Sequence, residues 1–325
     1  MGILNTLLVA FIGCIIATII GVFVGILRLS KNWIVAKLMA VYIEGFRNIP
    51  VLLWIVMIFA LLTEFTPAPK AFRGANSEAS MILFESTAIT NRGAYFPNPV
   101  WGDGSIYLVL TFLISLVAIF FFRRYARALQ EETGRSLPKF WISLGLLLIP
   151  SILLYFLLGS PVSLEYPYLK GFNFKDGIYV RNSFIALTLA LSLYTSAFIG
   201  EIVRSGIMAI SKGQTEAASS LGLRPGRIMS LIILPQALRV IVPPMISNYL
   251  NLTKNSSLAI AVGYMDVRGT LGGITLNQTG RELESMLLLM GFYLCVSLLV
   301  SAVINYFNRS FQIKGLTCQI QIFHN

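Results

Sequence analysis

Glu216-Ala217-Ala218-Ser219-Ser220-Leu221-Gly222, continued by Ile232-Ile233-Leu234-Pro235, lies between two long apolar runs. Residues before and after it read as membrane-crossing helices, so it belongs to a connection. Most connections are short and carry little pattern, whereas this one, from 204 to 236, looks ordered and mildly basic. Ser211 and Gln214 have the spacing of a capping box, which predicts a helix starting at Lys212. Gly222 suits the left-handed position just past a helix end. Pro225 suits the first position of a second helix, running through Ile228, Met229, Leu231, Ile232 and Ile233 to Leu234-Pro235. Ala217, Ala218, Ser219 and Ser220 are small enough for another backbone to come close. Glu216 is a lone acid near the positive end of the first helix, where a carboxylate is favoured. Two readings are open: a docking surface for a soluble partner, or a helix pair lying on the bilayer.

Composition supports the membrane reading. Of 325 residues, 56% are hydrophobic and 12% are charged. A soluble domain carries about 25% charged residues. Several apolar runs reach the roughly 20 residues that a transmembrane helix needs. The expected fold class is therefore all-α, a polytopic helical membrane protein. A transmembrane β-barrel would instead show short alternating segments. The net charge of +11 raises the question of nucleic acid, but the basic residues cluster beside apolar runs, as the positive-inside rule expects. The bilayer is thus the expected partner, and no nucleic acid is. Cys14, Cys295 and Cys318 have no metal-ligand spacing, and the single histidine is His324. No metal site and no catalytic residue are assigned. The N-terminus lacks a basic leader and a cleavage site, so its first apolar run reads as a span.

Seven spans are expected, over about 3–27, 33–62, 105–122, 140–159, 182–203, 237–263 and 286–308. Pro50 and the pair Pro243-Pro244 predict kinks or breaks in the second and sixth. One set of connections holds 15 Lys/Arg against four acids, and the other holds eight against nine. That bias places the first set in the cytoplasm, the N-terminus outside and the C-terminus inside. The outer loop 64–104 contains Pro67, Pro69, Pro97 and Pro99. It reads as a disordered or family-specific insertion, with a contact surface as the alternative.

A wider resemblance rests on the 216–235 segment. Glu-Ala-Ala, three residues, Gly, nine residues, Ile, one residue, Leu-Pro is met from Glu216 to Pro235. It resembles the signature loop of permease subunits of bacterial ATP-binding-cassette (ABC) importers. Asn5-Thr6-Leu7, Arg28-Leu29-Ser30, Tyr42 through Pro50 and Ser196 through Gly206 narrow the likeness to permeases for polar amino acids, the histidine, glutamine and arginine group. Arg47-Asn48-Ile49-Pro50, the long outer loop and the extra span pair look most like general L-amino-acid and glutamate/glutamine/aspartate permeases. The resemblance covers roughly residues 2–309.

It implies a type I importer permease core over 1–309, with 64–104 a periplasmic loop, 204–236 a cytoplasmic coupling loop and 310–325 a divergent cytoplasmic tail. Glu216, Ala217, Ala218, Gly222, Ile232, Leu234 and Pro235 would couple to an ATPase. The implied partners are a dimeric nucleotide-binding ATPase subunit that uses ATP and magnesium, a sister permease or second copy, and a periplasmic amino-acid-binding protein. The implied location is the bacterial inner membrane, and the implied motion is alternating access. Related permeases usually have eight spans, one of them before Asn5, and a shorter ending. The missing span and the odd tail are expected to mark an incomplete gene model or a natural truncation.

Polar groups inside the spans are the remaining candidates. Glu44 and Arg47 are three apart on one helical face, expected as a structural ion pair with gating as the alternative. Asn251, Thr253, Lys254, Asn255, Ser256 and Ser257 form a polar run after the double proline. An unwound stretch lining the substrate pathway is one reading; interhelical hydrogen bonding is the other. The chain has no Gly-x-x-x-x-Gly-Lys-Ser/Thr loop, so ATP hydrolysis is expected in a separate chain. A secondary, ion-coupled transporter of small polar solutes is the rival function. It predicts paired repeats and buried acids, and Glu44 is the one acid deep in a span.

Overall fold

Gly13, Ala17, Gly21 and Gly25 recur every four residues and form a small-residue stripe along the first helix, α1 (Gly2–Arg28). Such stripes let helix backbones approach in lipid, where dispersion replaces the hydrophobic drive. The stripe meets Ser192, Ser196 and Gly200 on α6 (Asn182–Met208). The fit is tight: a Cβ on Gly25 would stand 2.6 Å from the Gly200 carbonyl oxygen, and one on Gly21 would strike Ile199. Ser192 Oγ donates to the Gly13 carbonyl at 3.3 Å.

The computed structural model describes residues 1–73, 79–83, 86–133 and 137–320, with backbone alone at 131 and 303–320. The chain divides into two units. The first, Met1–Thr66 with Thr90–Gly93 and Val180–Asn325, is built around α6, its most buried helix. Val9, Ile55, Leu187, Leu191, Ile199 and Leu252 make its core. Among the described residues, six helices are long and apolar enough to cross a bilayer, or seven segments if one bent pair counts as a span. That pair is α2 (Trp33–Asn48) and α3 (Val51–Glu64), set at 105° to each other. Pro50 forces the break: Ile49 before it is extended at φ −104°, ψ 133°, the conformation a following proline imposes. Phe46 and Trp54 stack across the bend at 4.2 Å.

The double proline acts differently. Beyond α7 (Lys212–Ser220), α8 (Pro225–Ile228) and one π-helical turn, α9 (Leu234–Asn255) runs through Pro243 and Pro244 without ending. The expected unwinding at Asn251–Ser257 does not occur. The helix continues to Asn255 and tightens into a 3-10 helix over Ser256–Val262. Thr253 Oγ1 donates to the Tyr249 carbonyl and Ser256 Oγ to that of Thr253, so hydroxyls in this run bond back to their own helix. Short α10 (Val267–Gly269) and α11 (Leu276–Thr279) lead to α12 (Glu282–Ile320). The helical backbone of α12 therefore enters the segment read as a divergent tail; 321–325 lie outside the described residues.

The second unit is Pro67–Ile89 with Ala94–Tyr179. It holds the helical hairpin α4 (Ser105–Thr133) and α5 (Lys139–Leu157) together with short strands. Here the reading of 64–104 as disordered is corrected. Strands β1 (Ala88–Thr90), β2 (Gly93–Phe96) and β3 (Asn98–Trp101) fall within it. They are matched by β4 (Val162–Glu165), β5 (Tyr168–Lys170), β6 (Asn173–Lys175) and β7 (Ile178–Arg181). A three-stranded sheet has the order β1-β2-β7. β3 pairs with β4 from Asn98↔Glu165 to Trp101↔Val162, and β5 with β6 from Tyr168↔Lys175 to Lys170↔Asn173. Ala88, Tyr95 and Phe174 are buried between them.

Candidate functional site

The Glu216–Pro235 segment folds as a helical knuckle. The first helix, α7, begins at the expected residue with Ser211 as N-cap, but Ser211 makes no side-chain cap. Gln214 instead accepts from Gln236 at 3.3 Å, tying α7 to the start of α9. The end of α7 is a complete Schellman turn: Leu223 N–H bonds to Ala218 O, Gly222 N–H to Ser219 O, and Gly222 has φ +76°. A Cβ there is strained, which is why glycine is required. Pro225 opens α8, as the spacing predicts. Ala218 and Ile228 are the two buried residues on the paired helices. Glu216, Ala217 and Gly222 are exposed, Ile232 is half-buried, and Leu234 and Pro235 are exposed. Leu221 projects at the turn with 81% of its surface open. A leucine held out by this turn, beside small residues and the Glu216 carboxylate, leaves a compact apolar projection on an otherwise mildly basic connection.

At the end of α6 nearest this knuckle, Glu201 joins two helices. It accepts from Arg204 within α6 at 2.5 Å and pairs with Arg28 of α1 at 3.1 Å. All three side chains are about a quarter exposed. Arg28, Glu201 and Arg204 lie in stretches that carry the family resemblance, but nothing in the sequence paired the two helices; within α6 the Glu201-x-x-Arg204 spacing was the local signal. The expected Glu44–Arg47 ion pair is not made. Glu44 accepts from Asn48 Nδ2 at 3.3 Å, while the Arg47 guanidinium lies 5.3 Å from the centre of the Phe198 ring. The (i, i+4) amide and the aromatic face of α6 take the place of the (i, i+3) partner.

The polar run on α9 divides by face. Thr253 and Ser256 point into the bundle and are buried, Asn255 is half-buried, and Asn251 is exposed on a different side. Lys254 and Ser257, three residues apart, line a cavity of about 570 Å³ with Arg268, Met290, Tyr293 and Ser297. Arg268 donates to the Ser257 carbonyl at 3.4 Å. Arg268 was missed by sequence reasoning because it follows the spans in a connection. Beside it, buried Asp266 caps α10 by accepting from Gly269 N–H at 2.8 Å. Burial pushes its carboxyl above the ordinary value, against hydrogen bonds from the Gly269 and Arg268 amides and from Tyr293. Burial also pushes the neighbouring Tyr264 phenol up to about 12, helped by the Asp266 charge. The N-terminus of α1 is fastened to this connection. Asn5 Nδ2 donates to the Met265 carbonyl at 2.7 Å, and Val267 N–H donates to Thr6 Oγ1 at 3.0 Å. Among the described residues no cluster of metal-ligating side chains occurs.

The family described as binding-protein-dependent transport system inner membrane component matches residues 131–313. That stretch contains the knuckle, Glu201 with Arg204, and the α9 polar run, while Arg28 lies before it. A glutamate/glutamine/aspartate/asparagine transport system permease protein of Rhodobacter capsulatus is 54% identical over 314 residues, 89% of this chain and 73% of that protein. A general L-amino acid transport system permease protein of Rhizobium johnstonii is 43% identical over 308 residues, 95% of this chain and 75% of that one. Among solved structures, an amino acid ABC transporter superposes with a TM-score of 0.54 at 19% identity, over 95% of this chain and 92% of the other. An inward-facing methionine ABC transporter gives 0.52 at 14% identity, over 95% and 94%. These two show a shared fold. Matched over more than half its length and aligned to permeases along most of it, the chain belongs to the family of inner-membrane components of binding-protein-dependent transport systems.

Proposed function

We propose that the chain is the membrane-spanning subunit of an ATP-driven importer of polar L-amino acids, with glutamate, glutamine and aspartate as the favoured cargo. The observation that carries this reading is the exposed α7–α8 knuckle, lying within the stretch matched by the family. Relatives at 54% and 43% identity, named as amino-acid permeases, supply the substrate class. ATP hydrolysis belongs to a separate chain, and a periplasmic binding protein delivers the cargo. A sister permease or a second copy completes the pathway. The charge bias supports a cytoplasmic C-terminus and knuckle.

In this reading Glu216, Ala217, Leu221 and Gly222 seat against the ATPase, Ala218 packs the knuckle beneath them, and Ile232, Leu234 and Pro235 return the chain to the bilayer. Lys254 and Ser257, and Arg268 across the same cavity, offer positive charge and hydrogen bonds to an amino-acid carboxylate. Asn251, Thr253, Asn255 and Ser256 shape that stretch of the pathway. Glu44 and Arg47 act near the bend between α2 and α3.

Proteoliposomes holding the chain with its ATPase and binding protein test the proposal. Gly222→Val together with Glu216→Arg should lower ATP-driven amino-acid uptake about tenfold or more, equivalent to about 1.4 kcal/mol of coupling, and weaken co-purification of the ATPase. Lys254→Ala in the same assay should alter uptake rate or substrate preference. Uptake by this chain alone, without nucleotide, would overturn the reading. An unchanged Lys254→Ala profile would remove that lysine from the pathway.

A further inference from the structure

Arg123, Arg124 and Arg127 stand together at one end of the α4–α5 hairpin. From Ser105 to Arg123 the helix rises about 27 Å, close to the roughly 30 Å thickness of a bilayer's hydrocarbon core. The three arginines therefore fall at headgroup level. Exposed aromatics mark both levels, Trp101 and Tyr107 at one end and Phe140 and Trp141 at the other, as interfacial belts do. Between them Leu113, Ile114 and Val117 are exposed, and the apolar windows of both helices are almost uncovered by protein.

Arg127 follows Arg123 by four residues and Arg124 by three, so the three share a face. With Phe120 and Ala128 they wall a cavity of about 580 Å³. Arg123 Nε is held by Ser143 Oγ of α5 at 3.4 Å, which leaves the outer nitrogens of its guanidinium directed elsewhere. None of the three is ion-paired among the described residues; Glu132 lies five residues beyond Arg127. Three adjacent guanidiniums repel one another unless an anion lies between them. Their planar forks fit the oxygens of a phosphate. The opposite end of the hairpin has a cleft of about 650 Å³ lined by Trp101, Phe112 and Tyr155, with no cation in it. That cleft therefore offers no guanidinium fork to a phosphate.

We infer that this cavity binds the phosphate of an anionic phospholipid, whose acyl chains lie along Phe120 and the uncovered face of α4. The occupant is a lipid rather than free phosphate because the walls continue directly into apolar, protein-free helix surface. The inference stands apart from the proposed cargo, since the hairpin contributes no residue to the Lys254 cavity.

Native mass spectrometry of the purified full chain, offered equal phosphatidylglycerol and phosphatidylcholine with identical acyl chains, tests it. Each basic residue near an anionic surface favours binding about fivefold, so three give a preference on the order of a hundredfold. Arg123→Gln with Arg124→Gln and Arg127→Gln should bind both lipids equally while keeping its helicity. Equal binding by the unsubstituted chain, or a preference that survives the triple substitution, overturns the site. Displacement of the lipid by millimolar inorganic phosphate overturns the lipid assignment. Should the triple variant not fold, a photoactivatable phosphatidylglycerol on the unsubstituted chain decides: attachment within 114–130 supports the site, and attachment elsewhere overturns it.

Discussion

At the residue scale, Glu201 has a partner on another helix that its place in the Ser196 to Gly206 stretch did not reveal. It is one carboxylate between two guanidiniums, Arg28 and Arg204, on two helices. Exposed ion pairs contribute about 0–1 kcal/mol and removing one partner of a buried pair costs about 3–5 kcal/mol. With a quarter of each side chain exposed, Glu201→Gln should cost about 1–2 kcal/mol, read by denaturant unfolding in mixed micelles. No change in the midpoint would mean that solvent already screens the cluster. Single residues were legible where the backbone itself required them. Gly222 was readable because only a left-handed residue ends α7 as a Schellman turn, and Pro50 because a proline disfavours helical geometry at the residue before it, here Ile49. Glu44 and Arg47 were misread because spacing on one helix says nothing about a competing ring, here Phe198, from another.

At the element scale, the spans were legible from apolar length, and their ends lay within a few residues of the helices found. What length does not contain is which face of a helix is used. The four-residue stripe on α1 was present in the sequence, yet its meaning depends on a matching stripe on α6, almost two hundred residues later. The contact at Gly25 offers no slack, because its nearest neighbour is backbone, the Gly200 carbonyl, rather than a side chain that can turn away. Overpacking of this kind costs about 1–3 kcal/mol. Gly25→Leu should fall at the upper end, about 3 kcal/mol, lowering the thermal midpoint, whereas Gly273→Leu, with nothing within 4 Å of its Cβ position, should leave it nearly unchanged. Equal effects at the two glycines would count against close α1–α6 packing. The polar run at Asn251–Ser257 was misread at this scale too. Serine and threonine hydroxyls can bond to carbonyls three or four residues back, so polarity there accompanies a continuous helix instead of an unwound one.

At the scale of the whole molecule, the long helices follow from composition and the short strands do not. β3 finds its partner β4 some sixty residues away, across the entire α4–α5 hairpin, and no local pattern announces such a pairing. Strands of three or four residues among prolines read as loop. Their small core depends on Phe174, which is 6% exposed and packs on Tyr95 and Phe72. Phe174→Ala should remove about 3 kcal/mol. Hydrogen exchange would then quicken across β1–β7 while α6 keeps its protection; faster exchange in α6 as well would mean that the strands and that helix melt together. The α1–α6 contact has a mechanical consequence. Two helices in close contact from Gly13 to Gly25, about three turns, with Glu201 bridging their ends, form a beam rather than two rods. Near the knuckle the beam ends at Met208; some 40 Å away by helical rise, it ends at Asn182. A tilt imposed at one end arrives at the other without being absorbed by sliding between the helices. The compliance needed for such movement must then reside in the joints, among them the 105° corner at Ile49-Pro50.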